Sequence, residues 1–152
     1  MNSQVNIQNK KAKFNYSLLD KYTSGIVLNG NEIKSIRNSK ASIDNAYCEF
    51  EKDELFVINM HIDEYENSSE KHFNPLRRRK LLLNKQELKK IYKQVVEKGI
   101  TIVVTSLFIT KGGIAKLKIS VAKGKREYDK RNVIKDRDNR VNLSRVKKNF
   151  NN

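Results

Sequence analysis

Ile114-Ala115-Lys116-Leu117-Lys118-Ile119-Ser120-Val121-Ala122 is the stretch whose pattern sets the fold class. On an extended backbone Leu117, Ile119 and Val121 fall on one side and Lys116, Lys118 and Ser120 on the other. That two-residue period predicts a strand with one buried and one wet face. Lys111-Gly112-Gly113 before it reads as a hairpin turn, and Thr101 to Thr110 as the strand that turn returns from.

Upstream lies the clearest helical signal. Asn84 can cap an N-terminus, Glu87 three residues on completes a capping box, and Leu88, Ile91, Tyr92, Val95 and Val96 form one apolar stripe that Gly99 ends. Before it comes Leu76-Arg77-Arg78-Arg79-Lys80-Leu81-Leu82-Leu83, after a polar loop from Ser68 to Pro75. Ala46 to Phe50 and Leu55 to Asn59 flank Glu51-Lys52-Asp53-Glu54, a hairpin with a charged tip; His61 to Tyr65 is expected to prolong its second strand. Glu32 to Arg37 predicts a short helix after the break at Asn29-Gly30-Asn31. Phe14, Tyr16 and Leu18 alternate as a first strand that Gly25 to Leu28 extends or follows. About six strands and two helices make the chain mainly β with flanking helices, and short antiparallel strands favour a small barrel of OB type.

Beyond Ala122 the pattern stops. Residues 123–152 hold eleven basic and four acidic residues, with Val133, Ile134, Val141, Leu143 and Val146 scattered among them. No stripe forms, so residues 1–122 are expected to be the barrel, and 123–152 a basic tail that stays disordered until it meets a partner.

Charge bounds the function. The 152 residues carry 32 basic and 17 acidic side chains, net +15, with a mean hydropathy of -0.72. The signs are segregated: residues 44–70 hold nine carboxylates against one lysine, whereas residues 71–90 hold eight basic side chains against one acidic. A polyanion partner is expected, nucleic acid ahead of an anionic membrane because no basic helix with a bulky apolar face appears. No apolar signal segment or membrane-length run is present, and the single Cys48 gives neither a disulfide framework nor metal-ligand spacing. The reading is a cytoplasmic monomer with no cofactor and no metal.

The run Arg77 to Lys80, on a strand, would project alternate basic residues from one face toward phosphates. Tyr16, Tyr47, Phe56 and Tyr65 could stack bases, although core packing explains each as well. His61 and His72 are the only histidines. A nuclease would need His61 held by a carboxylate or metal, and Asp63 and Glu64 are near it, but chance supplies such neighbours; no catalytic residue is expected. Neither Lys111-Gly112-Gly113 nor Ala122-Lys123-Gly124-Lys125 has phosphate-loop spacing.

A set of short segments, in order, resembles the SsrA-binding protein (small protein B) family of bacterial trans-translation. They are Asn9-Lys10-Lys11-Ala12, Gly25-Ile26-Val27-Leu28, Glu32-Ile33-Lys34-Ser35-Ile36-Arg37, Asp44 with Tyr47, Asn59-Met60-His61-Ile62, Pro75 through Leu83, and Ala122-Lys123-Gly124-Lys125 with Asp129-Lys130-Arg131. The resemblance implies an OB-like barrel that binds the tRNA-like domain of transfer-messenger RNA and accompanies it into a stalled ribosome. Ribosomal RNA, the decoding region and the messenger channel are then further partners. Leu82 and Asn84 carry over as RNA contacts, with Lys10, Lys11, Glu32, Lys34, Arg37, Asn59, His61, Arg77, Arg79, Lys80, Lys123 and Lys125 as further candidates. Asp129, Lys130, Arg131, Lys135, Arg137, Arg140, Arg145, Lys147 and Lys148 are the candidate ribosome contacts of the tail. The chain departs from the family at Thr23, where glutamate is usual, at Ser24 in place of alanine, and at Val104 in place of proline. A general RNA-binding or ribosome-associated OB protein is the alternative.

Overall fold

A computed structural model describes residues 5–69, 71–97 and 99–125. Their elements in chain order are β1 (Asn6–Gln8), α1 (Lys10–Asn15), β2 (Tyr16–Ile26), α2 (Gly30–Arg37), β3 (Ala41–Ser42), β4 (Tyr47–Glu51), β5 (Glu54–Ile58), β6 (His61–Ile62), β7 (Arg79–Leu82), α3 (Lys85–Val95), β8 (Ile100–Ile109) and β9 (Ala115–Gly124). The strand order β8-β4-β5-β7-β2-β9 closes on itself, because β9 also pairs with β8, and every pairing is antiparallel. β1 adds to the edge of β8, and β3 pairs with β6 as a separate ribbon. The expected small antiparallel barrel with flanking helices is the architecture found.

Alternation fills the barrel. Leu55 and Val57 of β5, Leu81 of β7, Ile102 and Val104 of β8, and Leu117, Ile119 and Val121 of β9 are buried in one core. α3 adds Ile91, fully buried, with Leu88 and Val95 packed against the cluster. Tyr92 and Val96 are instead exposed, so the five-residue stripe is buried only along part of its width. Tyr92 packs edge-on against Phe50, with ring centroids 5.4 Å apart.

Three local expectations differ. Phe14 lies in a helix, not a strand: α1 is one and a half turns, too short for a 3.6-residue period to show. Asn9 caps it, accepting from the Ala12 amide at 3.3 Å, while its own amide group donates to the carbonyls of Val104 (2.9 Å) and Ile43 (3.1 Å). His61 does not prolong β5, because Asn59 takes φ +60° and sends the chain into β6, paired with β3. And β9 is not wet along its whole outer face. Lys118 is exposed, but Ser120 and Ala122 are buried, Ala122 in a second small core with Ala12 of α1 and Val103. The last strand also continues past Ala122: Lys123 pairs with Ser17 and Ile100, and the Lys125 amide donates to the Asn15 carbonyl at 3.0 Å. The rest of the expected tail, from residue 126, lies outside the described residues.

Ser24, inside β2, is fully buried and its hydroxyl has no partner. A buried donor without a bond costs free energy that a methyl of similar size does not. Ser24→Ala is therefore expected to raise stability by about 1 kcal/mol, read as a higher denaturant midpoint at unchanged m-value; a lowered midpoint would mean the hydroxyl is satisfied.

Candidate nucleic-acid interface

The basic run Arg77 to Lys80 meets a carboxylate at every position. Arg79 opens β7 with its side chain turned inward and 0% exposed. Its Nε donates to Glu32 Oε2, its Nη1 to the Met60 carbonyl (2.7 Å) and its Nη2 to the Pro75 carbonyl (3.1 Å). Arg77 Nη2 reaches Glu32 Oε1 at 2.5 Å. Glu32 is equally buried; its Oε1 also accepts from the Asn29 amide, closing the capping box that starts α2. Burial pushes the Glu32 carboxyl up, but the bonds from Arg77, Asn29 and Arg79 outweigh it and hold the group below its ordinary value. Burial in turn draws the Arg79 guanidinium down against the pull of Glu32, and arginine stays protonated through physiological pH.

Arg78 and Lys80 point the other way, onto the β4–β5 hairpin. Arg78 Nη2 lies 3.4 Å from Glu51 and 3.8 Å from Glu49, with Cζ 5.4 Å from the Phe56 ring centroid; Lys80 Nζ lies 3.0 Å from Glu54. Alternate residues of the run do project together, but toward carboxylates and not toward open solvent. Glu32 and Arg79 offer no side-chain surface to an RNA, while Arg77 and Lys80 are part-exposed and already ion-paired.

Leu82, three residues past Arg79, faces outward and is 52% exposed. It sits opposite Gly25 of β2, and a Cβ added to Gly25 would lie 3.2 Å from Leu82 Cβ, so glycine lets the two strands pack closely here. Register then runs the row on: Gly25 faces Lys116 of β9, which faces Phe108 of β8. The next outward row along β2 is Thr23, Lys118 and Ser106. Among the described residues no carboxylate lies within ion-pair distance of Lys116 or Lys118. Their alternation with Leu117 and Ile119 is the signal the sequence carries for them, a sparser one than the arginine run.

Asn84 follows Leu82 and is exposed. Its Oδ1 accepts from the Glu87 amide at 2.8 Å and its own amide donates to Glu87, at 3.4 Å, so the expected capping box is present. Asn84→Ala is expected to cost about 1 kcal/mol in stability through the lost cap. Asn84→Ser keeps a capping oxygen but shortens the reach. If folded Ser and Ala variants both bind RNA as the wild type does, capping is the residue's whole role.

Lys10 and Lys11 are exposed at the start of α1, while toward its end Lys125, just past β9, donates from Nζ to the Lys13 carbonyl at 3.0 Å. A second group gathers at α2 and β6: Lys34 lies 5.3 Å from the Tyr65 ring centroid, Arg37 nears Gly113, and His61 Nδ1 is 3.2 Å from Asp63. Tyr16 and Tyr47 line a shallow cavity beside α1. Cys48 is buried, which pushes its thiol well up, as a core residue requires. Among the described residues no three His, Cys, Asp or Glu side chains are grouped to hold a metal, and no helix is long and apolar enough to cross a membrane.

Comparison with known proteins is consistent along the chain. The family model described as SmpB protein matches residues 6–149. The SsrA-binding protein of Christiangramia forsetii is 53% identical over 99% of this chain and 96% of its own length. That of Flavobacterium psychrophilum is 55% identical over 96% and 97%. A chain in the solved structure described as "tmRNA-SmpB: a journey to the center of the bacterial ribosome" superposes with a TM-score of 0.69 at 35% identity, covering 86% of this chain and 94% of that one.

Proposed function

The chain belongs to the SmpB protein family, and from that premise we propose that it binds the tRNA-like domain of transfer-messenger RNA and brings it to stalled ribosomes for trans-translation. The observation that carries this is the likeness in sequence and fold to an SmpB chain described with tmRNA on the bacterial ribosome, over 94% of that chain. The geometry supports it with a barrel face that offers an exposed leucine, an asparagine and unpaired lysines. Leu82 and Asn84 read base edges and sugars there, while Lys116 and Lys118, with Lys10, Lys11, Lys123 and Lys125 at the α1 end, meet phosphates. Lys34, Arg37, Asn59 and His61 form the contact surface around α2 and β6. Glu32 and Arg79 act indirectly, by fixing β7 and so the position of Leu82. The protein works as a binding module in the cytoplasm, where ribosomes stall, and does no chemistry on the RNA.

The deciding experiment is to recover the protein from cells at moderate salt and sequence the bound RNA. One dominant tRNA-like species is expected. A broad mixture would instead make it a general RNA-binding barrel, and metal-dependent RNA cleavage lost in His61→Ala would make it a nuclease.

A further inference from the structure

On the outer face of the barrel, where α1 lies beside β2, β8 and β9, a cleft of about 400 Å³ opens to solvent. Lys13 of α1, Lys21 of β2 and Lys118 of β9 line it, with Gln8, Thr23 and Thr105 between them. All three lysines are exposed, yet no carboxylate lines the cleft, and among the described residues none lies within ion-pair distance of any of them. The Lys118 ammonium rests 5.5 Å from the Phe108 ring centroid, a contact that orients the charge without cancelling it. Cations beside the β4–β5 hairpin, by contrast, are matched: Arg78 by Glu49 and Glu51, Lys80 by Glu54. Three like charges around a concavity with low-dielectric walls focus positive potential and repel one another until an anion enters.

We propose that this cleft seats a backbone phosphate of the bound RNA, with Lys13, Lys21 and Lys118 as its contacts, a refinement that rests on the RNA-binding reading above. Lysine serves as a point charge for phosphate, without the planar fork that would read a base edge. Thr23 in the cleft and Gly25 opposite Leu82 are two residues apart on β2, about 7 Å along the strand. A phosphate held at Thr23 therefore fixes the register of the RNA segment that Leu82 and Asn84 meet.

The test is equilibrium binding of the full chain to a fragment of the tRNA-like domain, from about 50 to 200 mM salt. The triple variant Lys13→Met/Lys21→Met/Lys118→Met is expected to lower the steepness of log K against log salt by about 0.7–0.9, the loss of one phosphate contact, and each single variant by a part of that, at unchanged thermal midpoint. Lys111→Met, at the β8–β9 turn and outside the cleft, should leave it unchanged. The proposal is overturned if the folded triple variant keeps the wild-type slope, or if Lys111→Met lowers it as much as a cleft lysine does. A wild type that binds an unrelated structured RNA equally well overturns the transfer-messenger reading instead, and the same slopes measured on that RNA still decide the cleft.

Discussion

Arg79→Ala is expected to remove about 3–5 kcal/mol of stability, a large part of the roughly 5–15 kcal/mol that holds a domain of this size. The thermal midpoint should fall by roughly 10–20 °C. The cause is what the substitution strands: the Glu32 carboxylate, 0% exposed, loses one of its two guanidinium partners, and the Met60 and Pro75 carbonyls lose their donor. Glu32→Ala should be comparably damaging, since it leaves Arg79 charged and dry. The double variant should cost less than the two singles added, because each single strands what the other removes. A midpoint within about 3 °C of wild type for Arg79→Ala would show the pair to be idle. Acid gives a second view. The Glu32 carboxyl is held below its unfolded value of about 4.3, so its contribution is present above that pH and is lost as pH falls through the lower folded value. The stability gap between wild type and Glu32→Gln should accordingly close in acid. RNA affinity of Arg79→Ala, measured cold where it is still folded, should fall through the loosened hold on Leu82 while its salt dependence stays that of wild type, because the buried Arg79 meets no phosphate.

Ending the chain after Asn132 should abolish tagging of proteins on stalled ribosomes while leaving the fold and most affinity for transfer-messenger RNA intact. Among the described residues the last strand ends at Gly124, and none beyond Ala122 belongs to either core. The removed segment is rich in lysine and arginine and too sparse in apolar residues to bury a face alone. Its work therefore requires an anionic partner that surrounds it, which a ribosomal channel supplies. Charge removal spread over Lys135, Arg137, Arg140, Arg145, Lys147 and Lys148 should lower tagging in graded steps. Full tagging by the shortened chain, or loss of RNA binding while it stays folded, would refute this division of labour.

How much of this was legible in the sequence depended on the distance to each residue's partner. The β8–β9 hairpin and the Asn84 capping box are built from neighbours a few residues apart, and a short window shows them whole. Arg79 answers to Glu32, 47 residues away, and Lys80 to Glu54, 26 away. No local pattern marks such pairs, so the basic run read as a free cationic face. The acidic stretch between residues 44 and 70 stands in the sequence as a contrast to that run, but it becomes its counter-charge only once the barrel brings β5 beside β7. α1 stayed hidden because six residues give too few turns for a period to show. The cleft lysines come from three separate elements, Lys13, Lys21 and Lys118, and only the closed sheet makes them neighbours.

Barrel closure has a kinetic consequence during synthesis. β2, at Tyr16–Ile26, pairs with β7 only through Gly25 and Ile26, and finds its long partner only when β9 has been made, with Tyr16 registering against Gly124 and Gly25 against Lys116. At about 5–20 residues per second the early strand waits on the order of 5–20 s with one long edge unpaired. Asp20 and Lys21, beside the irregularity between Leu18 and Lys21, place charge and a break on that edge, which discourages pairing with another nascent chain. Contacts so distant in sequence make for slow folding, and any synthesis that stops short of β9 releases a chain in which the barrel cannot form.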